Sequence, residues 1–387
     1  MRFGLLALVA AALAISAAGE SFAVRSPWLL PAAPIACERI SLGVPDDYKP
    51  CLGRLPDGEL LLVTFHPLEL GGGRIMEQNL LFRSGDGGRT WRGPEKLPLL
   101  GREPYLTVLP DGTVFETGHL LAADIRNRWG YTCGFLHRSS DGGQSWRSLR
   151  FESEGIRPGP TNYSSRNVLR LADGTLLLGV DYKDGPHFMW RSTDEGRTWD
   201  KTRRCEPRDF HSAQDGFFGG ELWLWPAKSG KIWALTRVNS ESMPIAGRPM
   251  KSRNDQDDHV ILYSSKDGGR TFDRGPDFGD YGEMYMSLLR LQDRRLLLTL
   301  TVRSARPPFG VQALAGVETN DGFAFDFSHD RLLLDTKTPV GQPQGGGFSP
   351  TVQLADGTLV TATSYRGADA KTHLEVIRWK LPPNRSG

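Results

Sequence analysis

Apolar residues in this chain fall mostly into short runs of three to five, separated by turn-forming triplets, a pattern of strands rather than helices. Leu60-Leu61-Leu62-Val63 follows the turn Pro56-Asp57-Gly58, and Leu176-Leu177-Leu178 follows Ala172-Asp173-Gly174. Equivalent turns stand at Pro110-Asp111-Gly112, Lys228-Ser229-Gly230, Gln292-Asp293-Arg294 and Ala355-Asp356-Gly357. Each sits between two apolar runs, so six hairpins are predicted. One run departs from the pattern. Leu5 to Ile15 is almost continuous, follows Arg2 and precedes small residues. It is too short for a bilayer-spanning anchor and reads as an export leader, with Ser21-Phe22-Ala23 as the cleavage region. An uncleaved anchor is the competing reading. Residues 1–23 are therefore assigned to a signal peptide, and the mature chain is expected to be secreted or periplasmic, with no membrane insertion after cleavage.

A second pattern interleaves with the hairpins. Ser-x-Asp-x-Gly-x-Thr/Ser-Trp/Phe occurs at Ser84–Trp91, Ser139–Trp146, Ser192–Trp199 and Ser265–Phe272, with a worn copy at Thr319–Phe325. The Asp can fold back onto backbone N–H groups, and the Gly can take angles closed to other residues, so each copy is a turn. The aromatic residue that follows can then plug the gap between neighbouring sheets. Copies at such intervals predict a closed array of four-stranded modules. The sixth module has no such turn. The segment from Ile35 to Leu42 can supply its outer strand beside His373 to Leu381 and close the ring, which also removes an open sheet edge. The fold class is thus all-β, a six-bladed β-propeller with four-stranded antiparallel blades. A single domain is expected over residues 24–383, with a tail at 384–387.

Composition narrows the function classes only a little. Lys plus Arg is 47 and Asp plus Glu 45, a balance with no global drive toward nucleic acid or anionic membrane. The four cysteines, Cys37, Cys51, Cys133 and Cys205, lack a C-x-x-C spacing, so neither a zinc knuckle nor a redox motif is indicated. A Cys37–Cys51 disulfide and free buried thiols both remain open. Asn162-Tyr163-Ser164 fits a glycosylation acceptor.

The boxes and hairpins, over roughly residues 36 to 383, resemble the sialidase superfamily, the BNR-repeat or Asp-box propellers. The resemblance implies that the boxes are structural and that the active site lies on the axis, where inner strands begin and the loops after the second strands gather. It implies three arginines that clamp a sugar carboxylate, a Tyr nucleophile polarised by a Glu, and an Asp on a mobile loop as general acid and base, where the first-blade loop His66 to Glu77 offers only His66, Glu69 and Glu77. Glu221, in Gly219-Gly220-Glu221-Leu222, and Arg237, in Leu235-Thr236-Arg237, match the family's Glu and second Arg. Elsewhere the chain departs from the pattern. Tyr48-Lys49-Pro50 replaces Arg-Ile-Pro, and Lys49 keeps the charge without the two-pronged geometry. Gly347-Phe348-Ser349-Pro350 stands where the nucleophilic Tyr is expected, while Tyr285-Met286-Ser287-Leu288 looks like the Tyr segment one blade early.

The catalytic candidates are therefore Glu221, Tyr285, and either Glu77 or Asp181 as the acid. Lys49, Arg166, Arg237, Arg303, Tyr105 and Tyr365 are the candidate substrate-binding residues, in a funnel that could also hold Glu103, Tyr163, Tyr182, Glu283 and Arg366. The longest loop, Val238 to His259, ends Asp255-Gln256-Asp257-Asp258-His259 and reads as a solvated lid or, alternatively, a cation site. His119, His187 and His211 lack metal-ligand spacing and read as packing or hydrogen-bonding residues. No cofactor or metal is expected. The expected partner is an acidic carbohydrate or glycoconjugate, bound by a monomer. The function expected is a sialidase-like glycoside hydrolase of exo type; a polysaccharide lyase and a non-catalytic glycan-binding propeller are the alternatives.

Overall fold

In the computed structural model the described residues are 19–385 without 154–155, 157–158, 212–215, 220, 251–254, 305–306 and 340–349. Their strands form six antiparallel blades about one axis. Blade one is Tyr48–Arg54, Leu60–Glu69, Ile75–Ser84 and Arg92–Lys96; blade two is Arg102–Val108, Val114–Leu120, Cys133–Ser139 and Arg147–Arg150. Blade three has its inner strand in two pieces, Asn162–Ser164 and Leu169–Arg170, followed by Leu176–Tyr182, His187–Ser192 and Arg204–Pro207. Blade four runs Trp223–Pro226, Ile232–Val238, His259–Ser265 and Thr271–Phe278, and its outer strand pairs in parallel with that of blade three. Blade five runs Glu283–Arg290, Arg295–Val302 and Gly310–Glu318, with Arg331–Leu333 outermost.

Blade six closes the ring as expected. Thr351–Gln353, Leu359–Arg366 and Thr372–Trp379 are completed by Ile35–Leu42, in a register running from Leu374 opposite Leu42 to Trp379 opposite Cys37. The closure reaches further back than the sequence suggested. Glu20–Phe22 pairs with Ile35–Cys37, Val24–Arg25 pairs with blade five, and buried Phe22 sets its ring edge against Trp379 at 5.4 Å. Residues 20–22, placed with the leader above, are thus part of this sheet. Residues 1–18, which carry the leader's apolar run, lie outside the described residues.

The box turns lie at the outer rim. In the first, Asp86 Oδ1 accepts from Ser84 Oγ and from the amides of Arg89 and Thr90 at 2.8–3.0 Å, while the Thr90 hydroxyl donates to Oδ2 at 2.6 Å. These donors, the Thr90 hydroxyl foremost, hold the Asp86 carboxyl well below the usual range. The rings behave as the pattern predicted. Trp146 packs with Leu55, Leu61 and Val63 of blade one, and Trp199 meets Phe115 of blade two at 6.3 Å.

The residue just before each box, or its equivalent, clamps the next blade. Arg378 Nε donates to the Gly87 carbonyl (2.8 Å), Arg83 to Gly142 (2.9 Å), Arg138 to Glu195 (2.9 Å) and Arg191 to Gly268. At the worn fifth box Trp233 Nε1 takes over, donating to the Asp321 carbonyl at 2.6 Å.

Two points left open by the sequence are decided by the structure. Cys37, Cys51, Cys133 and Cys205 are all free, buried thiols; Cys37 sits in the closing strand and Cys51 in the inner strand of blade one. Asn162 is buried and its Oδ1 accepts from the Gly134 amide at 2.7 Å, which withdraws it from glycosylation in the folded chain.

Candidate active site at the propeller axis

Four inner strands begin with the same irregularity. Lys49, Glu103, Glu221 and Tyr285 have φ of 48°, 54°, 65° and 56°, the left-handed region that side-chain-bearing residues avoid. In blades one, two and five the ladder also skips here, between Tyr48 and Cys51, Arg102 and Tyr105, and Met284 and Ser287. A bulge of this kind re-aims one side chain out of the pleat, and each left-handed residue costs about 1–3 kcal/mol. Recurrence in four blades places a lysine, two glutamates and a tyrosine together at one end of the channel.

These residues and the ends of the second strands form one buried ionic network. Lys49 Nζ donates to Glu103 at 2.6 Å and lies 3.5 Å from Glu221. Arg166 bridges the same two carboxylates, at 2.7 Å to Glu103 and in direct contact with Glu221. Arg237 holds the other oxygen of Glu221 and places Nε and Nη2 on Asp258 Oδ2 at 3.0 and 2.8 Å. Its Nη1 also donates to the Tyr285 hydroxyl at 3.1 Å, and Arg303 Nη2 donates to that hydroxyl at 2.8 Å. Lys49, Arg303 and Arg237 also lie 5.1, 4.9 and 5.3 Å from the centre of the Tyr285 ring.

Burial alone would neutralise these acids, but the cations outweigh it. Arg237, Lys49 and Arg166 bring Glu221 down to about 2, and Lys49, Arg166 and Arg102 hold Glu103 well below the carboxylate range. Beside this ionised pair opens a pocket of about 160 Å³ lined by Glu103, Thr117, Gly118, His119, Tyr163, Ser164, Arg166, Gly219, Glu221 and Arg237. It is smaller than the ~300–1,000 Å³ of sites for drug-sized ligands. His119 is half-buried in its wall, its ring edge-on to Tyr163 at 5.2 Å, and desolvation lowers it to about 3, so it stays neutral there.

Residues 45–278 match the BNR repeat-like domain family. The chain belongs to that family. Among solved structures, a protein of unknown function from Dyadobacter fermentans is similar over 89% of this chain and 98% of its own, with 20% identity and a TM-score of 0.64. The Hadza microbial sialidase Hz136 is similar over 91% of this chain and 70% of its own (15% identity, TM-score 0.59). The NanB sialidase from Streptococcus pneumoniae is similar over 92% and 72% (12% identity, TM-score 0.63). Likenesses this remote in sequence speak for the shared propeller. The xyloglucanase Xgh74A of Acetivibrio thermocellus is 28% identical over 163 residues, 41% of this chain, and the match spans only 18% of that relative's length.

In this BNR repeat-like propeller the network gathers Lys49, Arg166, Glu221, Arg237, Tyr285 and Arg303 as the sequence suggested. Three other candidates stand apart from it. Asp181 is buried on the blade-four side, where its Oδ2 accepts from the Phe218 and Gly219 amides (2.6 and 3.4 Å) and lies 3.3 Å from His187 Nδ1. It shapes the segment that brings Gly219 to the pocket, and its carboxylate does not line that pocket. Tyr105 points down into the core against Trp223 at 5.2 Å, in the apolar cluster that also holds Met284 and Tyr285. Tyr365 stacks on His373 at 5.3 Å beneath Lys337, in a blade-six cluster with Glu375 and Arg39. Glu283 also turns from the axis, to Arg331 Nη2 at 2.5 Å. Phe348 lies outside the described residues.

Glu77 is placed on the network's edge. Its Oε1 is 3.4 Å from Arg102 Nε, and that nitrogen is 3.7 Å from Glu103. Burial, only partly countered by Arg102, raises the Glu77 carboxyl to about 7. Two contributors were missed as site residues. Arg102 stands beside Glu103 as Tyr48 stands beside Lys49, so alignment of inner-strand starts could have found it. Asp258 arrives from the long loop, which folds onto the axis through a short 3-10 turn, Asp255–Asp257. No cluster of three or more metal-binding side chains occurs there or elsewhere among the described residues. Nor do these residues include a helix long and apolar enough to cross a membrane.

Proposed function

We propose that this chain is an exported exo-acting glycoside hydrolase that removes an acidic sugar from a glycan. One observation carries the reading: the Tyr285 hydroxyl, fixed in a left-handed backbone at the axis, is held between Arg237 at 3.1 Å and Arg303 at 2.8 Å, with Glu221 behind Arg237. Two guanidinium donors aimed at one phenolic oxygen stabilise negative charge where a nucleophile needs it. The same guanidiniums form a cationic face suited to a sugar carboxylate. In this reading Tyr285 attacks the anomeric carbon, its proton passes to Glu221, and Glu77 gives a proton to the departing oxygen. Water then cleaves the tyrosyl–sugar bond, Glu77 taking the water's proton while Glu221 returns its proton to the Tyr285 oxygen, which restores all three groups. The family membership and the glycosidase neighbours support carbohydrate chemistry; the acidic substrate rests on the arginines.

The test is release of free sugar from sialylated and uronic-acid glycans. Release by the native chain, with a fall of about 10²-fold or more in Glu221→Gln, is the expected result. Affinity for such glycans without any product makes the chain a binding propeller, and an unsaturated product absorbing in the ultraviolet makes it a lyase. Full activity in Glu221→Gln removes this residue assignment.

A further inference from the structure

Around Tyr285 four cations, Lys49, Arg166, Arg237 and Arg303, meet three buried carboxylates, Glu103, Glu221 and Asp258. The fourth carboxylate of the set is different. Asp255 reaches over the cluster from the end of the long loop, with Oδ2 3.3 Å from Arg303 Nη1 and 3.8 Å from Arg237 Nη2. Its side chain is 55% exposed, whereas Arg303 and Arg237 are 5% and 13% exposed. Its other oxygen accepts from the adjacent Gln256 side chain at 2.8 Å. A weakly held, solvent-facing anion thus lies against the two arginines that also hold the Tyr285 hydroxyl.

We propose that Asp255 is an internal stand-in for the anionic group of the ligand: its carboxylate covers the Arg303–Arg237 face at rest, and a ligand carboxylate binds by displacing it. The inference rests on the acidic-glycan reading and adds a determinant of specificity to it. A neutral sugar brings no charge to replace the one it would expel, so its entry removes one carboxylate from the Arg303–Arg237 face without a substitute, which disfavours it. An acidic sugar exchanges one ion pair for another. The exchange has a cost, because the apparent affinity is reduced by the fraction of molecules in which Asp255 still covers the arginines.

Calorimetric titration with free N-acetylneuraminic acid and glucuronic acid, and with glucose as the neutral probe, tests this on the native chain and on Asp255→Asn. Asp184→Asn serves as the control. It makes the same charge change at an exposed position in the loop after the second strand of blade three. The expected result is acidic-sugar binding tightened about two- to fivefold in Asp255→Asn, the scale of one partly exposed ion pair, with no change in Asp184→Asn. Unchanged or weakened acidic-sugar binding in Asp255→Asn overturns the stand-in while leaving the functional reading in place. Equal tightening in both variants also overturns it, since the effect is then net charge. Failure of both acidic sugars to bind the native chain and Asp255→Asn overturns the acidic-glycan reading and the stand-in with it.

Discussion

The rim and the axis of this propeller are made from the same repeated blade, yet they obey opposite rules. At the rim one position holds one residue: Asp86, Asp141, Asp194 and Asp267 each accept from the hydroxyl of a Thr or Ser four residues on, at 2.5–2.7 Å. At the axis one position holds Lys49, Glu103, Glu221 and Tyr285 in turn, all in the same left-handed backbone. Repetition at the rim solves one packing problem several times over. Divergence at the axis makes a composite site, because a ring of identical charges would repel itself, whereas cations and carboxylates set side by side neutralise one another around the Tyr285 hydroxyl.

The contrast predicts that activity and stability come apart between the two regions. The largest effect is expected at Tyr285. Tyr285→Phe removes only a hydroxyl, so the melting temperature stays within a few degrees while sugar release falls by about 10³-fold or more. Initial rates and thermal unfolding on one preparation check both halves. A rim aromatic should do the reverse. Trp146→Ala opens a cavity against Leu55, Leu61 and Val63 and is expected to cost about 3 kcal/mol in denaturant unfolding, with kcat/KM of the folded protein unchanged.

A pH-dependent effect lies between the two regions. Glu116 is buried beside blade one, Oε1 accepting from Asn79 Nδ2 at 3.0 Å, and burial raises its carboxyl to about 8. The folded chain therefore keeps a proton that the unfolded chain loses near pH 4.5. The associated stability is complete below that pH and is lost as pH rises through 8. Glu116→Gln removes the titration, so the native chain should lose stability relative to the variant between pH 5 and 9, by about 4 kcal/mol at the alkaline end. Parallel melting curves across that range would show that Glu116 does not hold its proton.

What could be read in advance follows the same division. The boxes, the inner hairpins and the closing strand Ile35–Leu42 are local, periodic signals, and all appear where expected. The packing of Phe22, assigned to the leader from its apolar neighbours, was not legible because its partner Trp379 is distant in sequence. The arginine clamp was overlooked although Arg83, Arg138 and Arg191 each precede a box serine, because its partner is a carbonyl of another blade. At the axis, residue types were legible and directions were not. A one-residue bulge decides whether a side chain faces the channel or a neighbouring blade, and no alternation rule shows where the ladder skips. Asp181 and Glu283 were therefore expected in the funnel although both serve the fold. The Asp255–Asp258 segment was read as solvated because its acids find their arginines only through the tertiary fold.

The central claim is that Tyr285 is the group that attacks. It is tested most directly by mass spectrometry of the chain after brief exposure to a fluorinated acidic sugar that slows the second step. The account predicts one added sugar mass, located on the peptide that carries Tyr285 and absent in Tyr285→Phe. Sugar release from ordinary substrate by a chain that acquires the adduct on another residue, or acquires none, would contradict it.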